Sequence, residues 1–358
     1  MRYLEIGSEF WETDKDVQPG KQHIFSEGER GFLCGRGALH HLILDAVESF
    51  GMQSVLLPSY CCDSMITPFI ENGIGVRFYS VIYTDGELRC ELPKPLEKEA
   101  IYLMPYFGYE QEDFYSDQGV SEWDVAILDA THSCFTERAY DDLPHNVKYI
   151  YASYRKWADI CGYAPLKKIN GEFRIPDVEK QNLAYRDVKL AAAKEKREYI
   201  LNGKGEKASF LEKYGIAEEI LEEDYIGYGP LEEGIDQYAD LDVEHIRMVR
   251  RENAAYLIDA LKAQKEIELM YKQVQEGDCP LCVPVLVKSG KRDALRRFLI
   301  SKDIYCPVHW PITKYHQFSS EDETTIYQEE LSLICDQRYS IGEMQRIADC
   351  IIEFFEKE

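Results

Sequence analysis

This 358-residue chain has no cationic surplus: 41 lysines and arginines stand against 65 acids, a formal net charge of -24 at pH 7. Nucleic acids are bound by basic stripes, so this balance argues against a nucleic-acid partner. It does not exclude a small anionic ligand, which needs only a local nest of N–H groups and one or two cations. Long apolar runs are also missing. No stretch approaches the ~20 residues of a membrane span and no signal peptide is recognisable, so a cytoplasmic protein without a membrane partner is expected. Internal repeats and low-complexity segments are lacking too. The pair Cys279-Pro-Leu-Cys282 has zinc-ligand spacing, but no second Cys or His pair stands near it. The reading is therefore no metal, with both thiols as strand residues leading into Val283–Val287. An odd count of eleven scattered cysteines reads as reduced thiols rather than a disulfide framework.

What is present is ordinary globular material, 45% hydrophobic and long enough for one large α/β domain and a smaller one. The chemistry concentrates in one stretch. Val125-Ala-Ile-Leu128 is a short apolar run of the kind buried on both faces of a sheet, and it ends on an acid, Asp129. A second run, Val147-Lys-Tyr-Ile-Tyr-Ala152, ends in Ser153-Tyr-Arg-Lys156. Strands that deliver an acid and a lysine at their C-terminal ends describe the rim of an α/β sheet, where ligands bind. Pyridoxal phosphate (PLP) needs such a pair: a carboxylate against its pyridinium nitrogen and a lysine for its aldehyde. A structural Asp–Lys ion pair is the other reading of these two residues.

Along the chain, residues 1–30 read as a polar and aromatic arm lying across the main domain, anchored by Ile6-Gly-Ser-Glu-Phe-Trp11 and turning at Gln18-Pro-Gly20. Gly35-Arg-Gly37 opens a helix, and is either a phosphate cradle of backbone N–H groups and a guanidinium or a plain turn. His40 and His41 within that helix read as packing or surface residues. Ser54–Leu57, Val76–Val81 and Ala100–Met104 read as further strands, alternating with helices through residue 166 in a mostly parallel, doubly wound sheet. Tyr60, at a strand end, is either a lid on a cofactor ring or a buried aromatic. Charged helices follow at Arg186–Tyr199 and Glu206–Glu223, then one long helix over Asp240–Leu261. Past Gly277 the pattern becomes strand, helix, strand, closing with a helix from Ile341 to Phe355. The expected division is an arm (1–30), a large α/β domain (31–245) and a small α+β domain (246–358).

With these residues in place the chain resembles the fold-type I PLP enzymes, and among them the DegT-type sugar aminotransferases. The likeness rests on six short segments in chain order: Gly35-Arg-Gly-Ala-Leu39, Leu57-Pro-Ser-Tyr60, Asp129-Ala-Thr-His132, Ser153-Tyr-Arg-Lys156, Ile304-Tyr-Cys-Pro-Val-His-Trp-Pro311 and Leu331-Ser-Leu-Ile-Cys-Asp-Gln-Arg-Tyr339. The resemblance implies a mostly parallel, seven-stranded type of sheet and a homodimer. It implies Lys156 as the Schiff-base lysine, Asp129 on the pyridinium nitrogen and His132 near the ring. It places Gly35, Arg36, Gly37 and Ser153 on the phosphate, Tyr60 in the cofactor site, and His309 and Trp310 near the substrate. The implied reaction moves an amino group, from glutamate, to a keto-sugar or sugar nucleotide. Another PLP reaction (a lyase, dehydratase or amino-acid-directed transferase) uses the same core residues. A non-catalytic binding protein of this fold would have no need of the lysine beside a buried acid. Three departures stand out. The family's Gly-Asp-Gly-Gly turn is Ile160-Cys-Gly-Tyr163 here, its ring-stacking position is occupied by Cys61 and Cys62, and Trp310 follows His309 in place of Tyr.

Overall fold

The structure is a computed structural model that describes residues 5–11, 28–110, 119–137 and 143–357; the turn expected at Gln18-Pro-Gly20 lies outside them. From the N-terminus, β1 (Ile6–Gly7) and β2 (Glu29–Phe32) precede α1 (Gly35–Phe50), β3 (Ser54–Pro58), α2 (Asp63–Glu71) and the hairpin of β4 (Gly75–Thr84) and β5 (Glu87–Glu91). Next come β6 (Glu99–Leu103), β7 (Val125–Asp129), β8 (Val147–Tyr151) and β9 (Ala164–Lys168). Four helices follow: α3 (Leu183–Asn202), α4 (Lys207–Glu223), α5 (Glu232–Ala239) and α6 (Val243–Leu261). The chain closes through β10 (Ile267–Leu269), β11 (Val283–Val287), α7 (Arg292–Ser301), β12 (Ile304–Tyr305), α8 (Asp322–Glu329), β13 (Glu330–Leu333) and α9 (Ile341–Glu356).

Among the described residues, eight strands form the main sheet in the order β2-β9-β8-β7-β6-β3-β4-β5. The five central strands, β8, β7, β6, β3 and β4, run parallel. Their continuous apolar runs follow from helices covering both faces: every residue of β6 and of β7 is buried. Antiparallel pairing is confined to the margins, where β9 meets β8, β2 meets β9 and β5 meets β4. The sheet thus holds one strand more than the seven expected. The addition is β5, a polar strand whose alternating exposure suits an edge and leaves no apolar run to read in the sequence.

A second sheet, β10-β11-β13, is antiparallel and packs with α7, α9 and the C-terminal half of α6 around its own core. Val285, Val287, Leu331 and Leu333 are fully buried there. Ile6 and Trp11 belong to this core as well. The N-terminal segment is therefore not an arm across the main sheet at this point: β1 pairs in parallel with β12, Ile6 against Ile304. Cys279 and Cys282 are both buried but precede β11 rather than lying in it. Cys282 Sγ donates to Ser332 Oγ at 3.1 Å. The helix expected to begin at Asp240 begins at Val243, where Asp242 caps it by accepting from the His245 N–H.

Candidate active site

Parallel strands all present their C-terminal ends on one edge, and here that edge opens into a cavity of about 290 Å³. Each wall comes from a different strand end. Cys62 follows β3, Met104 follows β6, Asp129 ends β7, and Ser153 and Lys156 follow β8; Gly35 and Arg36 of α1 close the side. The two charged residues read from the strand ends are thus brought to one chamber.

Asp129 is buried, so its charge must be met by donors. Its Oδ2 accepts from the Tyr102 hydroxyl (2.7 Å); the Tyr151 hydroxyl lies 3.1 Å from Oδ2 and also contacts the Tyr102 oxygen, so its single proton is shared between the two acceptors. Its Oδ1 accepts from the Thr131 N–H at 2.9 Å. Burial, and then the negative charge of Asp129, push both phenols well above their ordinary range, so they stay protonated and act as donors. A carboxylate has about four lone-pair sites; three are used, and the one that remains is on Oδ1.

Lys156 has no carboxylate partner among the described residues; its Nζ lies 5.9 Å from the Trp310 ring centroid. Its neighbour Arg155 is spent on a forked pair with Glu218 at 2.8 and 3.3 Å. At the other wall, the N-cap of α1 is Cys34, which makes no side-chain cap hydrogen bond, and Gly35 and Arg36 of the first turn line the cavity. Arg36 also lacks a carboxylate partner among the described residues, resting 5.3 Å from the Tyr225 ring. A Cβ on Gly35 would meet Ser153 Cβ at 3.1 Å, so only glycine lets the helix end approach Ser153 this closely. These residues fit PLP on chemical grounds. The helix end, Arg36 and Ser153 suit its phosphate, Asp129 keeps one lone pair for a pyridinium N–H, and Lys156 is free to meet an aldehyde.

Other expected site residues lie elsewhere. Tyr60 does not line the cavity. It is fully buried and packs on Trp310 at 5.1 Å and on Tyr327 at 5.0 Å, so it is core and Cys62 takes its place on the wall. His132 is also fully buried, stacked on Trp310 at 5.5 Å, and lines neither this cavity nor its neighbour. Burial first, then the charges of Lys156 and His309, hold it well below the usual imidazole range and so neutral. Its Nδ1 takes the Phe107 N–H at 3.5 Å, and its Nε2 has no hydrogen-bond partner among the described residues. Trp310 covers His132 and itself lines the cavity. His309 hydrogen-bonds Ser332 Oγ at 2.8 Å and lines a second cavity that adjoins the first. Within Ile160–Tyr163, Gly162 has a φ of +74°, and a Cβ there would meet Leu231 at 2.6 Å, so both would resist a side chain.

Sequence reasoning missed Tyr102 and Tyr151. The available signal was a phenol within a buried strand, since a buried hydroxyl needs a partner. It missed the Arg155–Glu218 pair because nothing local links residues 63 positions apart.

No protein-family profile matches the chain, and no curated protein matches it. Solved structures do match. PseC of Helicobacter pylori, an aminotransferase involved in the biosynthesis of pseudoaminic acid, superposes at a TM-score of 0.64. It shares 14% identity, covering 98% of this chain and 94% of its own. The sugar aminotransferase CalS13 from Micromonospora echinospora gives 0.57 and 14%, covering 90% and 86%. NtdA from Bacillus subtilis, solved with bound cofactor PMP, gives 0.59 and 14%, covering 91% and 72%. The chain is an α/β protein with the fold of these aminotransferases, that of fold-type I PLP enzymes. Within that fold it is similar over nearly its whole length to members that include a sugar aminotransferase.

Proposed function

We propose that this protein is a PLP-dependent aminotransferase that moves an amino group from glutamate to a keto-sugar or sugar nucleotide. One observation carries the reading: a lysine and an arginine with no acid partner among the described residues, an acid with one open lone pair and the first turn of α1 all line one cavity. The likeness to a sugar aminotransferase and to a PMP-binding protein supports it.

When bound, PLP supplies an electron sink for the carbon that carries the amino group. The chain's residues do the rest. Arg36 and the first N–H groups of α1, with Ser153, would hold the phosphate. Asp129, steadied by Tyr102 and Tyr151, would offer its remaining lone pair to the pyridinium N–H and keep that nitrogen protonated. Lys156 Nζ, with no acid to hold it, is the group that takes up and returns a proton as general base and acid. His132, buried and neutral, supports Trp310 from behind. We further propose a cytoplasmic homodimer with a cofactor domain (31–245) and a small domain (246–358) onto which the N-terminal segment folds.

The test is an absorbance spectrum of the purified protein with added PLP, before and after borohydride, with peptide mapping of the reduced adduct. A visible band that maps to Lys156 and is absent in Lys156→Ala is expected. An adduct on another lysine, or the same adduct in Lys156→Ala, overturns the assignment. Transfer from glutamate to a keto-sugar then tests the reaction itself, because a lyase or dehydratase would not complete the second half.

A further inference from the structure

A second cavity of about 530 Å³ adjoins the first and shares three of its residues, Arg155, Lys156 and Trp310. Lys156 therefore stands at the junction of two chambers, and only one of them is accounted for by the cofactor reading. The walls of the second come from the N-terminal segment (Ser8 to Phe10), the loop from Tyr305 to Trp310 and the start of the β13–α9 connection.

Charge singles this chamber out. In a protein of net charge -24, its lining carries five cations (Arg155, Lys156, Arg250, Arg296, Arg338) and two acids (Glu9, Asp336), a local surplus of three. Most of these cations are already engaged. Arg155 pairs with Glu218, and Arg338 forks onto Asp336 with two 2.8 Å bonds. Arg250 is fully buried and donates to Gln337 Oε1 and to the carbonyls of Pro280 and Leu281. Arg296 differs. It is exposed, its Nε donates to the Cys306 carbonyl at 3.3 Å, and its terminal amino groups have no partner among the described residues. A guanidinium anchored by Nε keeps its outer edge free for a bidentate anion, the geometry that carboxylates and phosphates accept. Each chamber beside Lys156 thus has one guanidinium whose terminal amino groups have no hydrogen-bond partner among the described residues, Arg36 in the first and Arg296 in the second.

We infer that the second cavity is the substrate chamber, that it takes a substrate bearing a carboxylate or phosphate group, and that Arg296 binds this anion. The inference extends the aminotransferase reading by assigning the charge of the substrate and the residue that selects it. Anion binding at Arg296 does not itself require the cofactor.

The experiment is calorimetric titration of the full-length protein, with and without PLP, using glutarate as the carboxylate probe and UDP as the phosphate probe. At least one probe is expected to bind with one-to-one stoichiometry. Arg296→Met should weaken it by roughly ten- to a hundred-fold, the usual effect of losing a charge-assisted pair. Arg296→Lys should recover part of the loss. Binding of glutarate alone assigns the chamber to a carboxylate, and binding of UDP alone assigns it to a phosphate. Failure of both probes, or equal affinity in Arg296→Met, would overturn the inference. If no PLP band maps to Lys156 but the Arg296 dependence holds, the cofactor reading falls and the anion site stands.

Discussion

Lys196 gives a quantitative test of how the N-terminal segment is held against the small core. Its ammonium is fully buried, 2.6 Å from the Glu9 carbonyl and 3.3 Å from the Glu5 carboxylate. Burial first, and the positive charge of Arg338 second, push its pKa down from 10.5 to about 8, against the pull of Glu5. The unfolded chain keeps this proton up to about pH 10.5, whereas the folded protein releases it near pH 8. Between these values the unfolded state binds more protons, so the contribution of Lys196 to stability rises with pH. Below pH 8 both states are charged, and the cost of burying the charge is present in full. At about 1.36 kcal/mol per unit, a depression of about 2.5 units (10.5 minus 8) amounts to about 3 kcal/mol across the window. The assay is urea denaturation of wild type and Lys196→Met from pH 7 to 10.5. The buried cysteines and tyrosines titrate in both proteins and cancel in the difference. The wild-type minus variant free energy should stay level to pH 8, then climb in the wild type's favour by about 3 kcal/mol. A level difference across the whole range would refute the argument.

Two further outcomes are expected. Gly35→Ala should leave the fold intact, since alanine suits a first helical turn, but its Cβ would crowd Ser153 at 3.1 Å. PLP affinity should fall roughly ten-fold by fluorescence titration, and unchanged affinity would remove Gly35 from the cradle. Tyr102→Phe removes the 2.7 Å bond to Asp129 and should cost about 2 kcal/mol in chemical denaturation, as for a bond to a charged acceptor. In an Asp129→Asn background the same change should cost under about 1 kcal/mol, and equal costs in the two backgrounds would show that the tyrosine does not act through the acid.

The parts of the site legible in the sequence share one property: they are local. An apolar run ending in Asp129 or leading to Lys156 announces a buried strand and its charged tip within a few residues. Gly35-Arg-Gly37 announces a helix end in the same way. Tyr60 was misplaced because the choice between wall and core depends on Trp310 and Tyr327, about 250 residues away in sequence. The tyrosine pair on Asp129 was hidden for a similar reason. Tyr102 and Tyr151 reach the acid only once β6, β7 and β8 lie side by side, and the register that aligns Asp129 with Tyr151 is a property of the assembled sheet. β5 went unread because a polar edge strand has no apolar period, and β1 because two residues are too few to show one.

The parallel pairing of β1 with β12 bears on the order of events during synthesis. Ile6 leaves the ribosome long before its partner Ile304, 298 positions later (304 minus 6). At ~5–20 residues per second the wait is roughly 15 to 60 seconds. Through that interval the stretch from Glu5 to Trp11 has no pairing strand and no Arg338, whose guanidinium later takes the Ser8 and Glu9 carbonyls and stacks on Phe10 at 4.0 Å. The main sheet, complete by Lys168, can form without it, whereas the small core can close only after the last helices emerge. The N-terminal wall of the second cavity is thus among the last parts of the molecule to be set in place.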